Sequence, residues 1–286
     1  MNLQSILEAI RRDKLALLGL FTLVAFILIA VFGPALAPYG PNEIVRNAQG
    51  RVQVLQPPSW QFLFGTTDLG RDVFSQVLYG TRPVLIVGFF AAIIPTAIGT
   101  LLGLVAGYVR RWADTLISRA VEIAYSLPFE PFAIILLFVL GPSLPTLILA
   151  ISIIDWRRPA RVVRNQVMTL SGSSFIKAAR VAGASTSWIV LRHMLPLTLP
   201  ISLIYIPFAF GNAVLAESAL SFLGFGDPQS VSWGSILRQA FDGGAMDRGW
   251  WWMVAPGLCI TAAVTSVFFL TRPFEELVNP RLRRSQ

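Results

Sequence analysis

Two side chains in this sequence are of the kind that bind zinc or act as base and nucleophile, and each is the only one of its type: His193 and Cys259. One histidine and one cysteine exclude a zinc site built from several histidines, a thiolate-rich site and an internal disulfide. As a general base, His193 would have no acid nearby in sequence to orient it. A Walker loop needs a lysine directly after glycine, but Lys14 follows Asp13 and Lys177 follows Ile176. The run Leu170-Ser171-Gly172-Ser173-Ser174 echoes part of an ATPase signature and reads as a turn with a helix cap. The chain is expected to be no enzyme and to carry no metal or cofactor of its own. What remains are isolated polar groups in apolar surroundings, Glu130, Asn212 and Glu217, and a small-residue segment around Lys177, Ala178, Ala179, Arg180, Gly183, Ala184 and Ser185.

The elements that hold these groups are set by the solvent. Of 286 residues, 55% are hydrophobic and 13% charged, against about 25% charged in soluble domains. Too few charges exist to cover a soluble surface, so the chain belongs in a bilayer. A net charge of +8 then reads as cytoplasmic loops and not as a nucleic-acid footprint. Charge-free apolar stretches mark membrane helices at Leu15–Leu36, Pro83–Val109, Met194–Ala216 and Gly249–Thr271. The first is too long for a cleaved signal. A further stretch, Pro131–Ile154, is broken by Gly141-Pro142 and is one span or two. Charge bias chooses. Six spans with an inner N-terminus put 17 of the 23 Lys and Arg inside, whereas five put only 8 there. The expected fold is therefore an all-α integral membrane chain of six helices with both termini cytoplasmic. Its parts are a cytoplasmic segment (1–14), a first helix with an external loop (15–82), a core of five helices with an internal loop at 157–194 (83–274), and a cytoplasmic tail (275–286).

The internal loop carries the strongest pattern. Ser173 or Ser174 can cap a helix beginning at Phe175, and Ala178, Ala179 and Ala182 give it a small-residue face. Gly183 ends or bends it. A second short helix, Thr186–Met194, leads to Pro196. Such an element suits insertion into a groove on another protein, or it lies on the membrane surface.

The spacing of Ala178-Ala179, Gly183 and Leu195-Pro196 resembles the EAA loop of permease subunits of ABC importers, with Lys177 where the family has Glu and His193 where it has Ile. Phe64-Gly65-Thr66-Thr67-Asp68-Leu69-Gly70-Arg71-Asp72-Val73-Phe74-Ser75 resembles the F-G-T-D-x-x-G-R-D-x-x-S segment of the dipeptide, oligopeptide and nickel branch, with one added residue. Glu217–Gly226 is similar to that branch's E-x-x-L-S-F-L-G-x-G, Ser232-Trp233-Gly234 to its S-W-G, and Asn279–Arg283 to its D-P-R-L-R tail. The resemblance covers residues 10–284 and points to the branch's "C" permease. It implies a type I importer fold in the inner membrane, pairing with a homologous permease subunit. It further implies two ATPase subunits that bind ATP and Mg, docked on 172–194, and an extracytoplasmic solute-binding protein. Peptides are the default cargo; nickel chelates, glutathione and oligosaccharides use similar permeases. An ion-coupled secondary transporter is the rival, but it would show repeated halves and several mid-membrane acids.

Single residues follow. Glu130 should lie roughly 24 Å along the third span, lining a path or pairing with an arginine. Glu217, at the outer end of the fifth span, lines the path or orders the external loop 223–249, and Asn212 lies one turn inside it. Asp68, Arg71 and Asp72 pair with one another or meet the binding protein. Gly99, Gly103 and Gly107 place three small residues on one helix face, a seam for close packing or for sliding. Pro95, Pro200 and Pro207 should kink their helices, and Trp233, Trp250, Trp251 and Trp252 should sit in the outer interface belt.

Overall fold

The computed structural model describes residues 11–278, and within them the chain is helical apart from its connections. The segments 1–10 and 279–286, with the Asn279–Arg283 tail motif, lie outside the described residues. Helix α1 (Lys14–Leu36) starts where the Asp13 carboxylate accepts from the amides of Leu15 and Ala16. Its buried residues, Ala16, Gly19, Phe26 and Gly33, form one narrow seam flanked by half-buried Leu23, Ile29 and Ala30, and most of the remaining surface is apolar and exposed. A lipid solvent explains that distribution.

The connection 37–72 is ordered by two β-bridges, Arg46 with Val52 and Thr66 with Asp72. Helix α2 (Val73–Val109) has 37 residues, about 55 Å. It begins ten residues before the expected span, because Asp72 caps it outside the apolar stretch. After Arg110 come α3 (Arg111–Ser126) and α4 (Phe129–Leu140), which meet at an angle of 92°. The break lies at Leu127-Pro128, where proline drives the preceding residue out of the helical region. Helix α5 (Leu144–Asp155) folds back on α4 across Gly141, whose φ is +86°. The Gly-Pro interruption thus separates two helices, each of 12 residues.

Only Trp156 separates α5 from α6 (Arg157–Ser171). Here the expectation of an internal loop from 157 is corrected. Helix α6 packs along the glycine seam of α2. A Cβ on Gly103 would lie 2.6 Å from the Ala160 carbonyl, and one on Gly107 2.7 Å from the Arg164 carbonyl; Gly99 meets Trp156 and Pro159. The seam is close packing of backbone on backbone.

Helix α7 (Ser174–Val181) ends in a turn at 182–185, after which the short α8 (Thr186–Ile189) and a π-helical turn (Val190–Met194) lead without interruption into α9 (Leu195–Phe222). The second short helix is therefore the first two turns of a long one. Helices α10 (Trp233–Asp242), α11 (Ala245–Arg248) and α12 (Trp250–Val278) complete the order. Among the described residues, by length and composition, four helices can cross a membrane, α1, α2, α8–α9 and α12, or five if the bent α3–α4 pair counts as one. The sixth expected crossing would fall on α5–α6, whose arginines keep it below the hydropathy of a simple span.

One end of the molecule gathers the start of α1 and the end of α12, where Asp13 and Arg272 approach to 3.8 Å. The opposite end gathers 37–72, the start of α2, α10 and the start of α12. Trp233 and Trp252 lie there in the core, 0% and 1% exposed, while Trp250 is exposed and Trp251 half-buried. The expectation of a four-tryptophan belt is thus corrected: the Trp233 indole donates to the Val77 carbonyl at 3.2 Å and locks α10 onto α2.

Candidate functional site

Helix α9 presents one polar-edged face to a groove. Cavities of about 440 and 310 Å³ lie end to end along it, and Asp155, Arg158 and Asn212 line both. The lining positions on α9 and its C-cap run from Ile204 to Leu223. At 1.5 Å per residue that is roughly 28 Å, close to the thickness of a bilayer's hydrocarbon core.

Of the residues expected on a path, Glu130 and Asn212 are brought together here. Glu130 stands in the first turn of α4, just after the 92° break, and not deep inside a straight span. Glu217 lies elsewhere. It is 1% exposed and accepts from Ser221 Oγ at 2.7 Å and Ser218 Oγ at 3.4 Å, so its carboxylate is consumed in packing beneath the 223–249 connection. Asp155 and Arg158 were missed because the span was expected to end there and a loop to begin at 157. Their i, i+3 spacing was the available signal, since it puts both on one helix face.

Asp68, Arg71 and Asp72 form no ion pair with each other. Asp72 is 2% exposed and accepts from the Ser75 amide at 2.8 Å and Ser75 Oγ at 2.6 Å. Burial pushes its carboxyl above the usual range while those hydrogen bonds pull it back. It is a cap within the fold and is not free to meet another protein. Arg71 and Asp68 are half-buried.

The second site is α7 and its turn. Ile176 is fully buried against Leu104 and Tyr108 of α2, Val163 and Val167 of α6, and Ile189 and Met194 beyond the turn. Ala179 and Ala184 are half-buried, whereas Lys177, Ala178, Arg180, Ala182, Gly183 and Ser185 are exposed. Ser173 occupies the N-cap, but its hydroxyl donates to the Leu170 carbonyl instead of accepting an amide. The far end is a Schellman turn. The Gly183 amide donates to Arg180 and the Ala184 amide to Ala179, both at 3.0 Å, with Gly183 at φ +84°. Arg180 Nε donates to the Tyr108 hydroxyl at 3.2 Å, with the guanidinium 4.9 Å over that ring. His193 packs edge-on to Trp188, centroids 4.9 Å apart, and to Phe175 at 6.1 Å. That contact clasps α7 to α8, a structural use of the histidine. Beneath α7 a cavity of about 660 Å³ is lined by Arg110, Arg111, Lys177 and Arg180 and by no acid.

Helix α7 is thus anchored by Ile176, clasped through His193 and open on its small-residue side. The sequence matches the family described as binding-protein-dependent transport system inner membrane component over residues 99–284. It matches the N-terminal TM domain of oligopeptide transport permease C over residues 2–58. The dipeptide transport system permease protein DppC of Alkalihalophilus pseudofirmus is 36% identical over 277 residues, 96% of this chain and 89% of that protein. Its counterpart in Bacillus subtilis is 34% identical over 276 residues, 96% and 84% of the two chains. The di/tripeptide transport system permease protein DppC of Pseudomonas aeruginosa is 33% identical over 285 residues, 97% and 92%. Open groove, anchored α7 and these matches agree, and the chain belongs to the binding-protein-dependent transport system inner membrane components, as a multi-pass permease subunit of an ABC system.

Proposed function

We propose that this chain is one of two homologous membrane halves of an ATP-driven importer of dipeptides and short oligopeptides. The relatives at 33–36% identity are dipeptide and di/tripeptide permeases, which supports that cargo. It crosses the membrane six times with both termini in the cytoplasm, α5–α6 serving as the fourth crossing. The second permease completes the path. Two ATPase subunits bind ATP and Mg and dock on α7, and an extracytoplasmic binding protein delivers the peptide outside.

The observation that carries this reading is the open face of α7 standing on the joined end of α2 and α6. Ile176 ties α7 to both helices, and the glycine seam makes those two helices one body. A pull on α7 therefore moves the α6 wall of the groove, Arg158 included. Helix α9 takes the same pull through α8 and the π-turn, a register fault that tolerates bending. ATP binding shifts the population between two packings of these bodies to the extent that the ATPases bind one better.

Gly183→Asp tests it. No atom lies within 4 Å of a Cβ built there, so the side chain has room on this chain, and aspartate tolerates positive φ better than most residues. Insertion, pairing with the second permease and peptide binding by the external protein stay unchanged. Import falls at least tenfold, because about 1.4 kcal/mol of lost docking suffices. Full import with undiminished ATPase stoichiometry removes α7 from the mechanism. Lys177→Ala is milder, since the small face does the docking.

A further inference from the structure

The groove holds charges of both signs at one level. Asp155 and Arg158 occupy one face where α5 meets α6, Glu130 opens α4 beside them, and Asn212 faces them from α9. Among the described residues neither Glu130 nor Arg158 makes an ion pair, and Asp155 has only Arg157 at 3.5 Å. Asn212 has no side-chain hydrogen bond among them. Ionisable groups at bilayer depth face a pathway or one another, because lipid cannot solvate them. Here they face the cavities and are largely unpaired.

A peptide with free termini is itself a zwitterion, and moving it through hydrocarbon requires both ends to be matched. We propose that this seam is the peptide's intramembrane resting site: the terminal carboxylate meets the Arg158 guanidinium, the terminal ammonium meets Asp155 and Glu130, and Asn212 accepts or donates to the peptide bond between. A guanidinium offers a carboxylate two parallel N–H donors. The two acids are acceptors only, as an ammonium requires. The inference rests on the importer reading and adds the part of the cargo that is recognised.

The test uses the complete assembly in proteoliposomes: both permeases, both ATPase subunits and the binding protein. Import is measured for one dipeptide, its C-terminal amide and its N-acetyl form, each divided by binding-protein occupancy measured separately. With Arg158→Gln, import of the free dipeptide falls at least tenfold and that of the amide less than threefold, and Arg158→Lys recovers part of the loss. With Asp155→Asn and Glu130→Gln together, the free dipeptide falls tenfold and the N-acetyl form is spared. Equal losses for all three substrates, no loss, or a complex that fails to assemble would each overturn the seam, the last making Arg158 an interface residue. If the unsubstituted assembly imports none of the three, the importer reading itself fails.

Discussion

Asp72 shows how a side chain that invites a binding role can be spent on structure. It sits in a segment resembling a family motif, yet its carboxylate is buried and closes the first turn of α2 through Ser75. Loss of an N-cap costs about 1 kcal/mol. Asp72→Ala is therefore expected to lower the thermal midpoint of the purified complex by a few degrees and leave binding-protein affinity unchanged. A weakened affinity at unchanged stability would return Asp72 to the surface role. Glu217 is the same case in α9. By contrast Glu130, Asn212, Asp155 and Arg158 have few or no partners of their own among the described residues, which is why the proposed cargo site is placed on them.

Glycines decide how the elements meet. Along α2 the residues Gly99, Gly103 and Gly107 admit the backbone of α6, and every added methyl group would collide with a carbonyl. Gly103→Leu forces the two helices apart and is expected to destabilise by about 1–3 kcal/mol, read as a lower unfolding midpoint in detergent. Gly257→Ala, where nothing lies within 4 Å of the new Cβ, is the control and should be neutral; equal effects at both positions would dissolve the seam. Much of this was legible. Four-residue spacing announced the α2 face, and the place of Gly183 between two helical patterns marked the end of α7, where its φ is +84°. The partner of the seam was not, because Arg157, Arg158, Arg161 and Arg164 give α6 the charge of a loop. Ala160, Val163 and Val167, interleaved with those arginines, held the helical signal that local hydropathy hides. The break at Pro128 moved Glu130 from mid-span to a helix start for a similar reason: a two-residue interruption changes direction by 92° without altering composition.

Six crossings put α7 and both chain ends on one side of the membrane and residues 37–72 and 223–249 on the other. With Cys259 replaced by serine, cysteines at Arg46 and Gln229, both exposed, should react with an impermeant reagent from outside, and one at Ala182 only after permeabilisation. External labelling at position 182 would invert or break the six-span topology. The most direct measurement of the central claim is the energy source for peptide uptake by the assembled complex in sealed proteoliposomes with the loaded binding protein outside. Uptake is expected to need internal ATP, to stop with vanadate and to survive an ionophore. Uptake that survives vanadate and collapses with the ionophore would contradict that claim.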